Sequence, residues 1–394
     1  VTPAARLTAA IEVLEAIAAS PDPADRVVAA WGRANRYAGS KDRAAVADRV
    51  YDCLRRRRSL AWPLRADSAR AAVLGSVIAD GADPETLFTG VGHAPAPLTA
   101  DERAALAEAP PPPPDPVRLD YPDWLDAALR DSLGAAFEAS MTALQARAPV
   151  DLRVNTLKGD VAGARAALAA EGIETVAVAL APTCLRAAPG APVARTRAYA
   201  EGLVELQDAA SQAAALFPAP KPGETVLDFC AGGGGKTLAL AAVLRNQGRL
   251  IAHDAAARRM RDLPARLARA GAAAQVLAGD ALGALAGGCD LVFVDAPCSG
   301  SGAWRRDPAG KWRLTPARLD ELRAAQATVL AQALRFMRPG GRLAYATCSM
   351  LACENAGALA AADLAPRDAL RLTPADGADG FYCAVFTARS RFTE

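Results

Sequence analysis

The pattern of apolar and polar positions divides the chain into stretches of different character. In residues 4–80 apolar side chains recur at helical spacing, as in Ile11-Val13-Leu14-Ile17 and Val46-Val50-Tyr51-Leu54, with no strand-like alternation. This predicts a helical domain over 1–108. Pro110 to Pro114 form an unbroken run of prolines. Such a run can be neither helix nor central strand, so 109–117 is expected to be an extended, semi-rigid linker. Residues 118–205 then alternate: helix 124–144, strand 150–157, helix 162–171 and strand 175–180, the pattern of a small α/β subdomain.

A longer alternation over 206–394 predicts strands at 225–229, 249–253, 274–277, 291–294 and 342–346. Helices are expected at 237–244 and 316–337, with an arginine-rich helix after Asp254. Strands alternating with helices across short turns argue for an α/β fold whose parallel sheet is covered on both faces. In such sheets ligands bind beyond the carboxyl ends of the strands. Asp228, Asp254, Asp280, Asp295 and Cys348 all fall at or just past predicted strand ends. They are therefore expected to converge on one crevice.

Composition changes this picture little. The formal net charge of +2 argues neither for nor against a nucleic-acid partner, so any basic surface must be local. Eight cysteines are scattered through 394 residues, which fits a reducing compartment better than a disulfide framework. The N-terminal residues lack a basic-then-apolar leader, and no apolar run approaches the ~20 residues of a membrane helix. A soluble cytoplasmic protein, with no membrane partner, is the expectation.

Candidate chemistry begins at the glycine-rich turn Cys230-Ala231-Gly232-Gly233-Gly234-Gly235-Lys236-Thr237, placed between a strand and a helix. A phosphate-binding loop would need Gly at 230, where Cys stands. The dinucleotide fingerprint fails as well, because its last glycine would fall on Thr237 or Leu238. The turn could also be a tight connection with no ligand. Asp254 could accept both hydroxyls of a ribose, and Asp280 could accept from an adenine amino group. A nucleoside without a phosphate tail fits this set, S-adenosylmethionine being the obvious case, with Lys236 toward its carboxylate.

Asp295-Ala-Pro-Cys298-Ser-Gly-Ser-Gly302 follows one predicted strand and Tyr345-Ala-Thr-Cys348-Ser349 the next. Two thiols would then stand side by side above the cofactor, unless they are inert core cysteines. Zinc is disfavoured: there is no Cys-x-x-Cys pair, and His93 and His253 are the only histidines, so no metal is expected. Methylation of cytosine at C5 uses two thiols well. One adds to C6 and makes C5 nucleophilic, and the other assists release after the C5 proton leaves. Asp295 would act at N3 of the base as a general acid.

At these residues the chain resembles the RsmB/NOL1/NSUN family of RNA 5-methylcytosine methyltransferases. Asp228-x-Cys-Ala…Gly-Gly-Lys-Thr237 is similar to the family's cofactor loop, although Gly232 and Gly233 replace its usual Ala and Pro. The two cysteine motifs, the second continuing to Glu354-Asn355, resemble its paired motifs. Arg305-Arg306…Lys311-Trp312, Gln207-Asp208…Ser211, Arg153-Val-Asn-Thr156 and Asp379-Gly380-Phe381-Tyr382 resemble others. The resemblance implies a Rossmann-like S-adenosylmethionine-dependent catalytic domain. It implies that Cys348 is the nucleophile, Cys298 the release residue and Asp295 a contact to the target base. It gives cofactor contacts to Cys230–Lys236, Asp254, Arg259, Asp280 and Asp295.

The segment Gly39…Arg43…Tyr51…Arg58 is similar to the all-α NusB-like domain of the bacterial rRNA enzymes in this family. That points to RNA, specifically small-subunit (16S) rRNA, as partner. Arg55 to Arg58 then read as phosphate contacts or as an ordinary solvated face. Arg258, Arg259, Arg261, Arg305, Arg306 and Lys311 would extend a basic track. A tRNA substrate, DNA cytosine methylation, and a non-catalytic RNA-binding or ribosome-assembly factor are the competing readings.

Overall fold

The structure is a computed structural model that describes residues 1–277 and 279–387, with the side chains of residues 279 and 280 also outside the description. The chain forms two compact units. One comprises residues 1–130, 134–147 and 304–314, the other 131–133, 148–303 and 315–394. Division in space thus differs from division along the sequence: 109–117, 118–130 and 134–147 belong with the helical unit, and so does a segment from the middle of the catalytic half.

The helical unit is built on α1 (Pro3–Ala19), α2 (Ala24–Ala34), α3 (Ser40–Arg55), α4 (Arg57–Ala61) and α5 (Ala69–Ala79). Thr2 caps α1 by accepting from Ala5 N at 3.2 Å. The stripe Leu7, Ala10, Val13, Leu14 and Ile17 is buried. It meets Val46, Val50 and Cys53 of α3 and Leu74 and Val77 of α5 in one core, which also takes in Ala309 and Trp312. The proline run is extended coil, and Trp62 Nε1 donates to Pro111 O at 2.9 Å, so the run packs on its own unit. The stretch expected as one helix over 124–144 is broken into Asp126–Leu133 and Phe137–Gln145 around Gly134, whose φ is +52°.

The second unit carries two sheets. The smaller holds β1 (Val150–Val154), β2 (Thr175–Ala177), β3 (Cys184–Ala187) and β4 (Val204–Leu206) in the order β2-β3-β1-β4, with antiparallel pairings. The larger holds β5 (Thr225–Asp228), β6 (Arg249–His253), β7 (Gln275–Leu277), β8 (Cys289–Asp295), β9 (Met337–Thr347), β10 (Asp368–Leu372) and β11 (Phe381–Thr387). Their order is β10-β11-β9-β8-β5-β6-β7. Strands β9-β8-β5-β6-β7 run parallel, and β11 is antiparallel to β9. Leu291 to Val294 are all fully buried, the apolar run of a strand covered on both faces.

Strand order reverses between β5 and β8, and the crevice of an open sheet forms at that point. Asp228 and Asp295 end these two strands, and Cys348 follows β9 directly. Because β11 is antiparallel, with Tyr382 opposite Thr347, its first residues reach the same end of the sheet. That brings Asp379-Gly380-Phe381 beside the cysteine loops.

Candidate active site

The glycine loop is fixed from both sides. Gly232 (φ +53°) and Gly234 (φ +85°) take the left-handed backbone, and a Cβ at Gly234 would also clash with Leu263. Ala231 N donates to His253 O at 2.8 Å and Gly232 N to Asp254 Oδ2 at 3.0 Å, which ties the loop to the end of β6. Arg266 holds Gly233 O, and Arg153 Nη1 holds Gly235 O at 2.7 Å. Arg153 is in turn bonded to Gln207, and Arg266 pairs with Glu205 at 3.3 Å. The Arg153 and Gln207 motifs of the sequence are thus braces of the loop, supplied by the smaller sheet and the turn after it.

Asp254 is 4% exposed, and its carboxylate accepts from Gly232 N, Ala256 N at 2.9 Å and Arg259 Nη1 at 2.9 Å. Asp254, Arg259 and the 230–236 loop therefore come together as expected. Burial pushes the Cys230 thiol far up, with the carboxylates of Asp228, Asp295 and Asp254 adding to it. The side chain of Asp280 lies outside the described residues. His253 Nδ1 sits 3.0 Å from Phe229 O, with its ring stacked on Phe229, so that nitrogen is occupied by the backbone.

Asp228 is fully buried. Its Oδ2 accepts from Thr237 Oγ1 at 2.6 Å, while Oδ1 has no partner among the described residues. Burial lifts its pKa to about 7; Thr237 and Lys236 oppose the shift, and Asp295 and Asp254 add to it. The folded chain therefore holds a proton that an unfolded one has lost. That stabilisation is complete below the ordinary aspartate value of 3.8 and is lost as pH rises through about 7. Asp228→Asn keeps an acceptor for Thr237 and carries no charge. Its Tm is expected to exceed that of the parent at pH 8 and to match it near pH 4, read by thermal melts. Equal Tm differences at both pH values would contradict the assignment.

The two thiols meet. Cys298 Sγ lies 3.5 Å from Cys348 Sγ. The loops carrying them are locked together, since Gly302 N donates to Cys348 O at 2.9 Å and Gly380 N to Gly302 O at 2.9 Å. A Cβ on Gly302 would run into the Gly380 carbonyl, so the backbones can approach only because both residues are glycine. The hydrogen bond to Cys348, then burial, then the charges of Cys348 and Glu354 hold the Cys298 pKa well above the ordinary thiol range.

Lys236 Nζ bonds Asp295 Oδ2 at 2.6 Å and stands 4.8 Å from the centre of the Phe381 ring. Burial works against its charge. Asp295, with smaller contributions from Cys348 and Asp228, outweighs burial and leaves its pKa raised. The lysine expected to meet a cofactor carboxylate is here the partner of the carboxylate expected to meet the base.

The RNA-facing expectation needs correction. Arg55 is 8% exposed and donates to Arg305 O at 2.8 Å. Arg56 pairs with Asp52, Arg57 with Asp67 at 2.9 Å, and Arg58 with Asp123 at 2.8 Å. Successive positions on helical backbone point about 100° apart, so four neighbouring arginines do not share a face. Here each is used inside the helical unit. Arg305 and Lys311 are buried too. Lys311 Nζ donates to Arg55 O at 2.9 Å and stands 4.7 Å from the Trp312 ring centre, and burial drives its pKa down to about 8. Arg258, Arg261 and Arg306 are exposed.

Among the described residues no group of three or more His, Cys, Asp or Glu could hold a metal ion, and no helix is long and apolar enough to cross a membrane.

Comparison with known proteins gives a consistent picture. Residues 215–387 match the family profile described as 16S rRNA methyltransferase RsmB/F. Residues 121–194 match one described as an RsmF/B-like ferredoxin-like domain. Ribosomal RNA small subunit methyltransferase B of Sodalis glossinidius is 35% identical over 272 residues, covering 68% of this chain and 63% of that protein. Its Vibrio cholerae counterpart is 33% identical over 291 residues, covering 69% and 66%. The chain therefore spans less than two thirds of the length of these relatives. Among solved structures, PH0851 superposes with a TM-score of 0.76 at 25% identity, covering 98% of this chain and 99% of that one. NSun6 from Pyrococcus horikoshii with SFG gives 0.61 at 19% identity over 68% of this chain and 98% of that one, which is a likeness of fold.

Proposed function

We propose that the chain is a member of the RsmB/F family of methyltransferases, which its matches support, and that it methylates C5 of a cytosine in RNA, with 16S rRNA as the substrate. The observation that carries this reading is the pair of sulfurs 3.5 Å apart at the carboxyl ends of adjacent parallel strands, beside the Lys236–Asp295 pair. The names of the relatives favour small-subunit rRNA. The resemblance of residues 39–58 to a NusB-like domain favours RNA contact by the helical domain of 1–108.

S-adenosylmethionine fits the crevice. The left-handed glycines leave room for a ligand against the backbone, Asp254 offers a buried acceptor for ribose hydroxyls, and Lys236 offers a cation. When bound, the cofactor would supply an electrophilic methyl group. Cys230–Lys236, Asp254 and Arg259 would hold it, with Asp280 as a further proposed contact.

The Cys348 thiolate adds to C6 of the cytosine, and the ring electrons move to C5 and toward N3. Asp295 meets N3 as a general acid, with a proton passed to its carboxyl from Lys236 Nζ at 2.6 Å, and so offsets the charge that develops there; the proton goes back when the ring electrons move to the methyl group. After C5 has gained the methyl group, the C5 proton must leave and the C6–S bond must break. Cys298 gives its proton to the departing Cys348 sulfur and takes up the proton from C5; Cys348 then loses its proton to solvent, the net proton released by the methylation, and the pair returns to thiolate and thiol. The C5–H electrons become the C5–C6 double bond, and the C6–S electrons return to sulfur.

Incubation with methyl-labelled S-adenosylmethionine and small-subunit rRNA should place the label on cytosine C5 in digested RNA. Label in tRNA alone would reassign the substrate. No label in any RNA, with cofactor binding intact, would favour the non-catalytic reading.

A further inference from the structure

Glu354 is a fully buried carboxylate for which the mechanism above has no use. It lies six residues past Cys348, on the short helical turn Ala352–Glu354. Its Oε1 accepts from Ser299 N at 2.8 Å and from Gln326 Nε2 at 3.0 Å. Its Oε2 accepts from Ser299 Oγ at 2.5 Å and from Ser349 Oγ at 2.5 Å. Ser299 N and Gln326 Nε2 can only donate, so Oε1 acts as an acceptor, and both serine hydroxyls lie within donating reach of Oε2. Ser299 directly follows Cys298 and Ser349 directly follows Cys348.

The surroundings lock this carboxylate in place. Gln326 also donates to Pro297 O at 2.9 Å, so one side chain holds both Glu354 and the residue preceding Cys298. Tyr345 OH donates to Glu354 O at 2.8 Å. Asn355, next in the chain, accepts from Thr347 Oγ1 at 2.5 Å and donates to Ser349 O at 2.9 Å, fixing the backbone on either side of Cys348. Ser301 Oγ lies 3.2 Å from Ser349 Oγ and accepts from Met350 N at 2.8 Å, a second link between the loops.

We propose that Glu354 is the positioning residue of the thiol pair: by accepting from Ser299 and Ser349 together, it fixes the separation of Cys298 and Cys348 and faces Cys298 with a negative charge. The proposal deepens the methyltransfer reading and rests on it for its role in turnover. The groups facing Cys298 are Cys348 and Glu354, with Tyr345 close by, whereas Lys236 faces Cys348. A carboxylate on the Cys298 side disfavours a thiolate there, and the raised pKa of Cys298 agrees with that polarity.

The test is alkylation of the full-length protein by iodoacetamide, with each thiol followed by peptide mass spectrometry across a pH series. In Glu354→Gln, Cys298 is expected to react about tenfold faster near pH 8 than in the parent, because the facing charge is gone. A purely structural acceptor would not shift this profile. Ser299→Ala and Ser349→Ala keep the charge but cut one tether each. They are expected to lower kcat for RNA methylation about tenfold, with the cofactor Kd unchanged.

An unaltered alkylation profile in Glu354→Gln overturns the proposal. If that variant does not fold, parental kcat in both serine variants overturns it. A parent that methylates no RNA fails the functional reading, and the alkylation profile still judges Glu354. A parent that methylates RNA beside an unshifted Glu354→Gln profile leaves the function standing and removes Glu354 from it.

Discussion

Cys348→Ala is expected to bind S-adenosylmethionine with the parental Kd and to lose RNA methylation by on the order of 10⁴-fold or more, the scale of losing a covalent nucleophile. The bonds that hold the glycine loop run to Asp254, Arg153, Arg266 and the backbone of β6, not to this sulfur. Cys298→Ala is expected to behave differently. Addition to C6 should proceed, and release should fail, because the sulfur 3.5 Å away no longer returns a proton. The variant should accumulate a covalent RNA–protein complex that survives denaturing electrophoresis. Calorimetry for the cofactor and a gel for the adduct separate the two phenotypes.

Lys236→Met is expected to show the second largest loss. It removes the partner of Asp295 and a cation whose charge interacts with Cys348. Charge-assisted hydrogen bonds of this kind contribute roughly 1.5–3 kcal/mol. Asp295 is 32% exposed at its side chain, so water screens part of the loss. Methylation should therefore fall about 10- to 100-fold at saturating cofactor. The cofactor Kd should rise less if Lys236 acts mainly through Asp295. A rise in Kd with unchanged kcat would instead make Lys236 a cofactor anchor, the role first expected from its place in the loop. Lys236→Arg is a useful companion, because it keeps the charge and changes the geometry.

The parallel core of the larger sheet was legible because its strands are apolar runs bounded by turns and end in acidic residues or cysteine. The observed Arg249–His253 coincides with the expected strand, and Thr225–Asp228 and Gln275–Leu277 differ from expectation by one residue. The crevice followed from that pattern alone. Strands β3, β4 and β10 were not legible. They are three to five residues long, and their alternation is too brief to stand out in an alanine-rich chain. The role of β11 was hidden for another reason. Only its antiparallel register with β9 carries Gly380 to Gly302, and no local pattern encodes that pairing.

Charged residues misled in one direction. Arg55 to Arg58 and Lys311 look like a basic surface when counted along the sequence, yet each is satisfied by a carboxylate or a backbone carbonyl. Charge density in sequence does not reveal pairing in space. Glu354 is the converse case. It was visible as part of a motif, but nothing in the sequence marked it as buried. A signal was available: each cysteine is followed by a serine, and a single carboxylate close behind the second could serve both hydroxyls.

The most direct test of the account is to isolate the covalent complex from Cys298→Ala and RNA, digest both partners, and locate the cytidine-bearing cysteine by mass spectrometry. The account predicts attachment at Cys348. Attachment at Cys298 in Cys348→Ala, with no complex from Cys298→Ala, would reverse the two roles and contradict it.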